Sequence, residues 1–435
     1  MDRDGAGCPQ CTQPPHNADT RPAKCLDPIV VANIAGAHPQ WLTERGDCPA
    51  CIQHALLQTR LTHGVAAMQR CIRQIWPIDV HAAFGALPTP LRLHADPRFT
   101  GKGVTIAHVD AGFYPHPDLV KPVNRIRAWA ETTRSPVRSL QFSPDTPPEW
   151  PGWHHHLHWQ WHGLMTTAAA FGNGFLSHGL YRGIASDADL VLVQTWDRRG
   201  HITNATLTRA LRWIRRKRLE LGIRIVSISV AGDPVEPLQG NAVDQAVREL
   251  VEHGVTVIAA SGNKCERNLV PPATAAEAIT VGGLDDRNVF DRDQHEVWHS
   301  NYDSTIDGLW KPEVVAPSLW VVAPMLPGSP VAVEAQQLFF RRARGDAGAN
   351  ERIAELKLVT PHYQHVEGTS FAAPLIAGVA ACMLEANPGL SPDDIRLALM
   401  ASAYKIAGAS DERQGAGAVD GGQAVAIAMN MLTGL

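Results

Sequence analysis

The sequence predicts an α/β fold, with a central, mostly parallel sheet flanked by helices and a small cysteine-rich module ahead of it. Three observations lead there. Short apolar, β-rich runs recur at residues 104–109, 190–193, 225–230, 255–259 and 278–281. Helical stretches, such as 205–221 and 241–253, fall between those runs. Strands alternating with helices of that length form βαβ crossovers and therefore parallel sheet. Finally, two C-x-x-C pairs stand in the first part of the chain, apart from this pattern.

Composition bounds the class. The 435 residues suffice for one large α/β domain plus a smaller module. An apolar content of 45% with 19% charged residues is a globular balance. A net charge of −4 gives no electrostatic reason to expect nucleic acid or an anionic membrane as partner. We find no long unbroken apolar run that would signal a membrane span. The N-terminus, Met1-Asp2-Arg3-Asp4-Gly5, lacks the apolar core of a signal peptide. The expectation is a cytoplasmic protein whose eight cysteines are thiols or metal ligands rather than disulfides.

In chain order, the first element is the module at 1–98. Cys8-Pro9-Gln10-Cys11 and Cys48-Pro49-Ala50-Cys51 can place four thiolates around one structural zinc, with Cys8, Cys11, Cys48 and Cys51 as ligands. A redox dithiol or unligated cysteines remain the competing reading, and Cys25, His16 and His38 are spare donors. Residues 52–76 read as one helix. The module is expected to recruit a regulatory protein partner and to be dispensable for the fold of the domain that follows, at 99–435.

The run at 104–109 ends in Asp110, then Ala111-Gly112, which puts a carboxylate at the C-terminal tip of a strand, where α/β sheets hold their sites. Trp161-His162-Gly163 opens a small-residue helical segment at 164–171, so His162 is expected at a helix start. The His and Trp residues at 154–162 read as the rim of a cleft; a second metal site on His158 and His162, four apart, is the minor alternative, since no H-E-x-x-H or carboxylate partner accompanies them. Residues 215–218 form a basic, solvated helix face. Gly368-Thr369-Ser370-Phe371-Ala372-Ala373-Pro374 sets a serine at the mouth of an apolar run, 372–384, that reads as a buried helix. Pro374 falls in its first turn, where a missing N–H costs little. A serine there sits among free backbone N–H groups at the positive end of the helix dipole, which helps both a nucleophile and an oxyanion. Ser391-Pro392-Asp393-Asp394 supplies a cap, an N1 proline and acids for a last helix start.

From about Gly101 onward the chain resembles the subtilisin-like serine peptidases. The order Asp110, His162, Ser370 is the order of that triad. Between its members, Tyr181-Arg182-Gly183-Ile184-Ala185-Ser186, Ile225-Val226-Ser227-Ile228-Ser229-Val230-Ala231-Gly232 and Val257-Ile258-Ala259-Ala260-Ser261-Gly262-Asn263 look like family segments in collinear order. The resemblance implies a three-layer subtilisin-like fold and an endopeptidase acting on protein or peptide substrates. It also implies roles: Ser370 as nucleophile, His162 as general base, Asp110 as its orienting acid, and Asn263 in the oxyanion hole. Ser229, Val230, Ala231, Gly232 and Gly262 would line the substrate cleft. There are departures. Ala111 stands where the family usually has Ser or Thr, Leu164 where it usually has Thr, and insertions are expected near 129–160 and 327–362. The alternative is a catalytically silent, subtilase-like binding or scaffold protein held inactive by those inserts.

Overall fold

The structure is a computed structural model, and it describes residues 28–37, 49–75, 86–146, 157–196, 201–234, 241–305 and 307–431. The strands are β1 (Thr105–Asp110), β2 (Ile126–Glu131), β3 (Arg138–Gln141), β4 (Asp189–Gln194), β5 (Ile223–Ile228), β6 (Thr256–Ala260), β7 (Ile279–Asp285) and β8 (Glu296–Val297). They are followed by β9 (Asp303–Ser304), β10 (Trp310–Lys311), β11 (Val314–Pro317), β12 (Val321–Pro324) and β13 (Tyr363–Val366). The main sheet runs β11-β7-β6-β5-β1-β4-β2-β3, with β8 added beside β7. Every pair along it from β11 to β2 is parallel, and only β3 and β8 join antiparallel.

The sheet is buried on both faces, which is why its strands are apolar throughout rather than alternating. Successive side chains still divide between two cores. Ile106, Leu190, Leu192, Ile225 and Ile258 pack with the helices Leu157–Phe171 and Thr369–Ala386. Ala107, Val109, Val191, Val193, Val226 and Val257 pack with Asn204–Lys217 and Ala242–Glu252 on the other side. The result is three layers, as the resemblance implies.

Thr369–Ala386 is long and apolar enough, by composition, to cross a bilayer, but 89% of it is buried inside the protein. Thr369, Ser370, Pro374 and Glu385 interrupt it, so it is not an unbroken apolar run. The helix is apolar all round because protein surrounds it.

Three further differences from the sequence reading have local causes. The helix expected over 52–76 is two helices, Pro49–His63 and Val65–Ile75, broken at Gly64. Gly64 adopts φ +83°, a left-handed conformation that glycine tolerates and that ends the first helix. The stretch expected as an insertion from 129 starts inside the sheet: Trp129 and Glu131 are buried in β2, parallel to β4, and β3 forms its edge. The insertion around 327–362 carries two helices, Pro330–Ala343 and Ala347–Glu355, between β12 and β13.

The N-terminal helices are packed on the domain rather than tethered to it. Val30, Ile34, Ile52, Leu56, Leu57 and Met68 share one core with Leu87 and Leu91. Arg60 pairs with Asp420 at 2.8 Å, and Gln53 bridges the Leu180 carbonyl (2.8 Å) and Arg182 Nε (2.9 Å). These contacts argue against a dispensable module.

Candidate active site

Asp110 ends β1 between β4 and β5, fully buried. Its Oδ1 accepts from the Ala111 N–H at 2.5 Å and lies 2.6 Å from His162 Nδ1. Its Oδ2 accepts from the Thr166 hydroxyl at 2.7 Å, with His108 Nε2 at 3.5 Å. Burial alone would raise the Asp110 pKa, but the His162 charge and the hydrogen bonds of His108 and His162 outweigh it, so the carboxyl lies well below the usual range.

His162 sits in the second turn of Leu157–Phe171, not at a helix start as expected, because that helix begins five residues earlier. Gly163 makes the approach possible: a Cβ there would overlap the Gly112 carbonyl oxygen. The imidazole is 21% exposed and reaches the surface between Trp161, edge-on at 5.3 Å, and Phe371 at 6.3 Å. Burial lowers its pKa, but the charge and hydrogen bond of Asp110 raise it further, leaving it above the ordinary histidine value.

Ser370 is the second residue of Thr369–Ala386 and 8% exposed. Its carbonyl accepts from Ser229 Oγ at 2.8 Å, tying the helix start to the chain that leaves β5. Gly368 precedes the helix at φ +134°. A Cβ on Gly368 would stand 3.1 Å from Ser370 Oγ and 3.4 Å from Asn263 Nδ2. Glycine therefore leaves open a small volume on which both atoms converge.

Asn263 is turned toward that volume by Thr369. The Thr369 N–H (3.0 Å) and hydroxyl (2.7 Å) both donate to Asn263 Oδ1, and the Gly262 N–H donates to the same hydroxyl at 3.1 Å. With its oxygen occupied, the amide presents Nδ2 outward as a donor. The site thus holds an imidazole–carboxylate pair and a serine hydroxyl beside a fixed amide donor.

The other expected residues fall as follows. Ser229 is buried, Val230 half-buried and Ala231 exposed, in the segment after β5 that Gly232 anchors by donating to the Pro271 carbonyl at 2.9 Å. Gly262 takes φ +105° against Asn301, whose Oδ1 accepts from the Lys264 N–H at 2.7 Å and so shapes the loop after Asn263. Cys8, Cys11 and Cys48 lie outside the described residues. Cys51 is 5% exposed in the first turn of Pro49–His63.

Sequence reasoning missed Thr369 as the residue that orients Asn263, and Thr166 and His108 behind Asp110. A signal existed for the last two. Thr166 lies four residues after His162, on the same helix face, and His108 lies two before Asp110, on the same strand face.

The motifs and this geometry agree with what the chain is similar to. The model of the subtilase family matches residues 101–417. Serine protease AprX of Bacillus subtilis (strain 168) is 29% identical over 329 residues, 74% of this chain, and the chain spans 66% of AprX. Among solved structures, the prenylagaramide maturation protease PagA superposes with a TM-score of 0.53 at 20% identity, covering 80% of this chain and all of PagA. Sphericase superposes with a TM-score of 0.54 at 21% identity, covering 74% of this chain and 92% of sphericase. The two structural likenesses bear on the fold, and the family match on descent: the chain belongs to the subtilase family.

Proposed function

We propose that the protein is a serine endopeptidase whose triad is Asp110, His162 and Ser370, with Asn263 as an oxyanion donor. The observation that carries this reading is the convergence of Ser370 Oγ and Asn263 Nδ2 on the open volume beside Gly368. Ser370 Oγ attacks the scissile carbonyl carbon and its proton passes to His162 Nε2. His162 Nδ1–H meanwhile donates to Asp110 Oδ1, which fixes the tautomer and stabilises the imidazolium. The carbonyl oxygen, now an oxyanion, accepts from Asn263 Nδ2 and from the Ser370 backbone N–H. Collapse breaks the C–N bond, and His162 returns the proton to the leaving amine. Water then enters, loses a proton to His162 and hydrolyses the acyl-serine. Substrate lies over Ser229 to Gly232 and Gly262.

This reading fixes a pH dependence. General-base catalysis needs neutral His162, and Asp110 holds its pKa above 6.5. The kcat/KM of a peptide substrate is expected to fall on the acid side with an apparent pKa above 6.5. An acid limb centred well below that value would remove His162 from the role.

The N-terminal segment carries a second proposal: Cys8, Cys11, Cys48 and Cys51 hold one zinc, and the segment selects a protein partner that limits which substrates are cut. Its support is the pair of C-x-x-C motifs, whose spacing suits four thiolates around a closed structural site. Such a site does no chemistry and contributes folding free energy instead. Mass spectrometry of protein purified without added metal is expected to find about one zinc per chain, lost in a Cys8→Ser/Cys48→Ser double variant. Metal-free protein with both pairs oxidised would favour the redox reading.

A further inference from the structure

We propose that Thr166 and His108 are positioning residues, a buried hydrogen-bonded chain that holds Asp110 from behind. The inference rests on the catalytic reading above.

Alternation along β1 places Ile106, His108 and Asp110 on one face, the face that packs under Leu157–Phe171. One helical turn carries Thr166 from His162 to the same carboxylate. The two Asp110 oxygens are thereby divided: Oδ1 serves His162 and the Ala111 N–H, and Oδ2 serves Thr166, with His108 Nε2 further off at 3.5 Å. An ionised carboxylate only accepts, so the Thr166 hydroxyl donates. Its bond to Oδ2, at 2.7 Å, is shorter than its approaches to the carbonyls of His162 (3.1 Å) and Gly163 (3.3 Å).

With its proton committed, Thr166 Oγ1 faces His108 Nε2 at 3.0 Å as an acceptor, so Nε2 carries a hydrogen. The opposite ring nitrogen, Nδ1, is buried without a hydrogen-bond partner, and the ring stands edge-on to Phe113 (5.9 Å) and Phe171 (5.7 Å). Nε2 is therefore the ring nitrogen that this environment engages as a donor. The direction is then consistent from end to end: His108 donates to Thr166, and Thr166 donates to Asp110. A fully buried imidazole in an aromatic pocket is costly to keep, and an apolar side chain would fill the space with less penalty. The hydrogen bond to Thr166 is what this residue adds over an apolar one.

Two effects follow. The carboxylate is fixed in the orientation that meets His162 Nδ1. Donation to Oδ2 also draws charge away from Asp110 and weakens its hold on the His162 proton. Among the described residues, the titratable side chains acting on Asp110 are His162 and His108, and the one acting on His162 is Asp110. The chain thus tempers a pull that would otherwise leave His162 protonated over more of the neutral range.

The test is the pH profile of kcat/KM for wild type, Thr166→Val, Thr166→Ser and His108→Leu, each with active sites counted by a fluorophosphonate. Thr166→Val removes the hydroxyl at nearly constant shape. It is expected to lower kcat by about 10–100-fold, the scale of losing one hydrogen bond to a charged group. Its acid limb is expected to move up by roughly half a pH unit or more. Thr166→Ser restores most of the rate and the wild-type limb, and His108→Leu shifts the limb in the same direction by less. A fold defect alone would reduce the count of active sites without moving the limb. If wild type depends on Ser370 but Thr166→Val keeps its kcat and its acid limb, the positioning role is refuted while the catalytic reading stands. If wild type shows no hydrolysis that depends on Ser370, it is the catalytic reading that fails.

Discussion

Ser370→Ala is expected to abolish peptide hydrolysis while leaving the protein folded. The loss should be on the order of 10⁶ in kcat, the scale of the subtilisin triad, carried over to this chain. The side chain contributes one hydroxyl, and its helix is held by other groups. The Ser370 carbonyl bonds Ser229, the Thr369 N–H bonds Asn263, and the following residues are buried among apolar neighbours. Removing Oγ therefore removes the nucleophile and little packing. What remains is the oxyanion donor and substrate binding, which together still exceed water by some orders of magnitude. Single-turnover assays with matched thermal melts check this. A Ser370→Ala protein that cleaves as fast as wild type would place the chemistry elsewhere.

The second large effect concerns stability. A chain starting at Ala86 keeps Asp110, His162, Asn263 and Ser370, yet it is expected to lose about 5 kcal/mol or more, a sizeable part of the ~5–15 kcal/mol that folded domains have. Leu87 and Leu91 lose the helices that cover them, along with Phe290, which packs against the same cluster. Arg182 Nε loses Gln53 as its partner, and the Leu180 carbonyl loses the same side chain. Asp420 loses Arg60 and keeps His94 and Arg292. Burial raises the Asp420 pKa, but the His94 hydrogen bond and the charges of His94 and Arg60 bring it down to about 2. A depressed carboxylate stabilises the fold above its unfolded value of roughly 3.9, and that contribution is lost as pH falls toward 2. The truncation should therefore melt lower at neutral pH, with a gap that narrows in acid. Equal melting temperatures at pH 7 would show that the helices are an appendage.

The placement of the candidate site was legible because it depends on backbone positions that sequence marks. A carboxylate ending an apolar strand, glycines flanking a histidine and a serine, and an asparagine closing another apolar run each signal a strand tip or a helix mouth. The five apolar runs correspond to β1, β4, β5, β6 and β7, with ends displaced by one or more residues. What escaped depends on tertiary contact. β2 and β3 were hidden because Arg127 interrupts the apolar run of Ile126–Glu131 and Arg138–Gln141 is exposed and mostly polar, so that pairing with β4 identifies β2 as sheet. The break at Gly64 escaped because one glycine inside a helical pattern is usually tolerated. Thr369, Thr166 and His108 escaped because each acts on a residue that motif reading already explained, and the resemblance named only the groups that react.

The central claim is that Ser370 is a nucleophile activated by His162 and Asp110. Its most direct measurement is mass spectrometry of the intact protein and its peptides after treatment with a fluorophosphonate at pH 8. The account predicts one adduct per chain, on Ser370, and strong loss of labelling in His162→Ala. No adduct on folded wild type, or one that persists on another residue in Ser370→Ala, would contradict it.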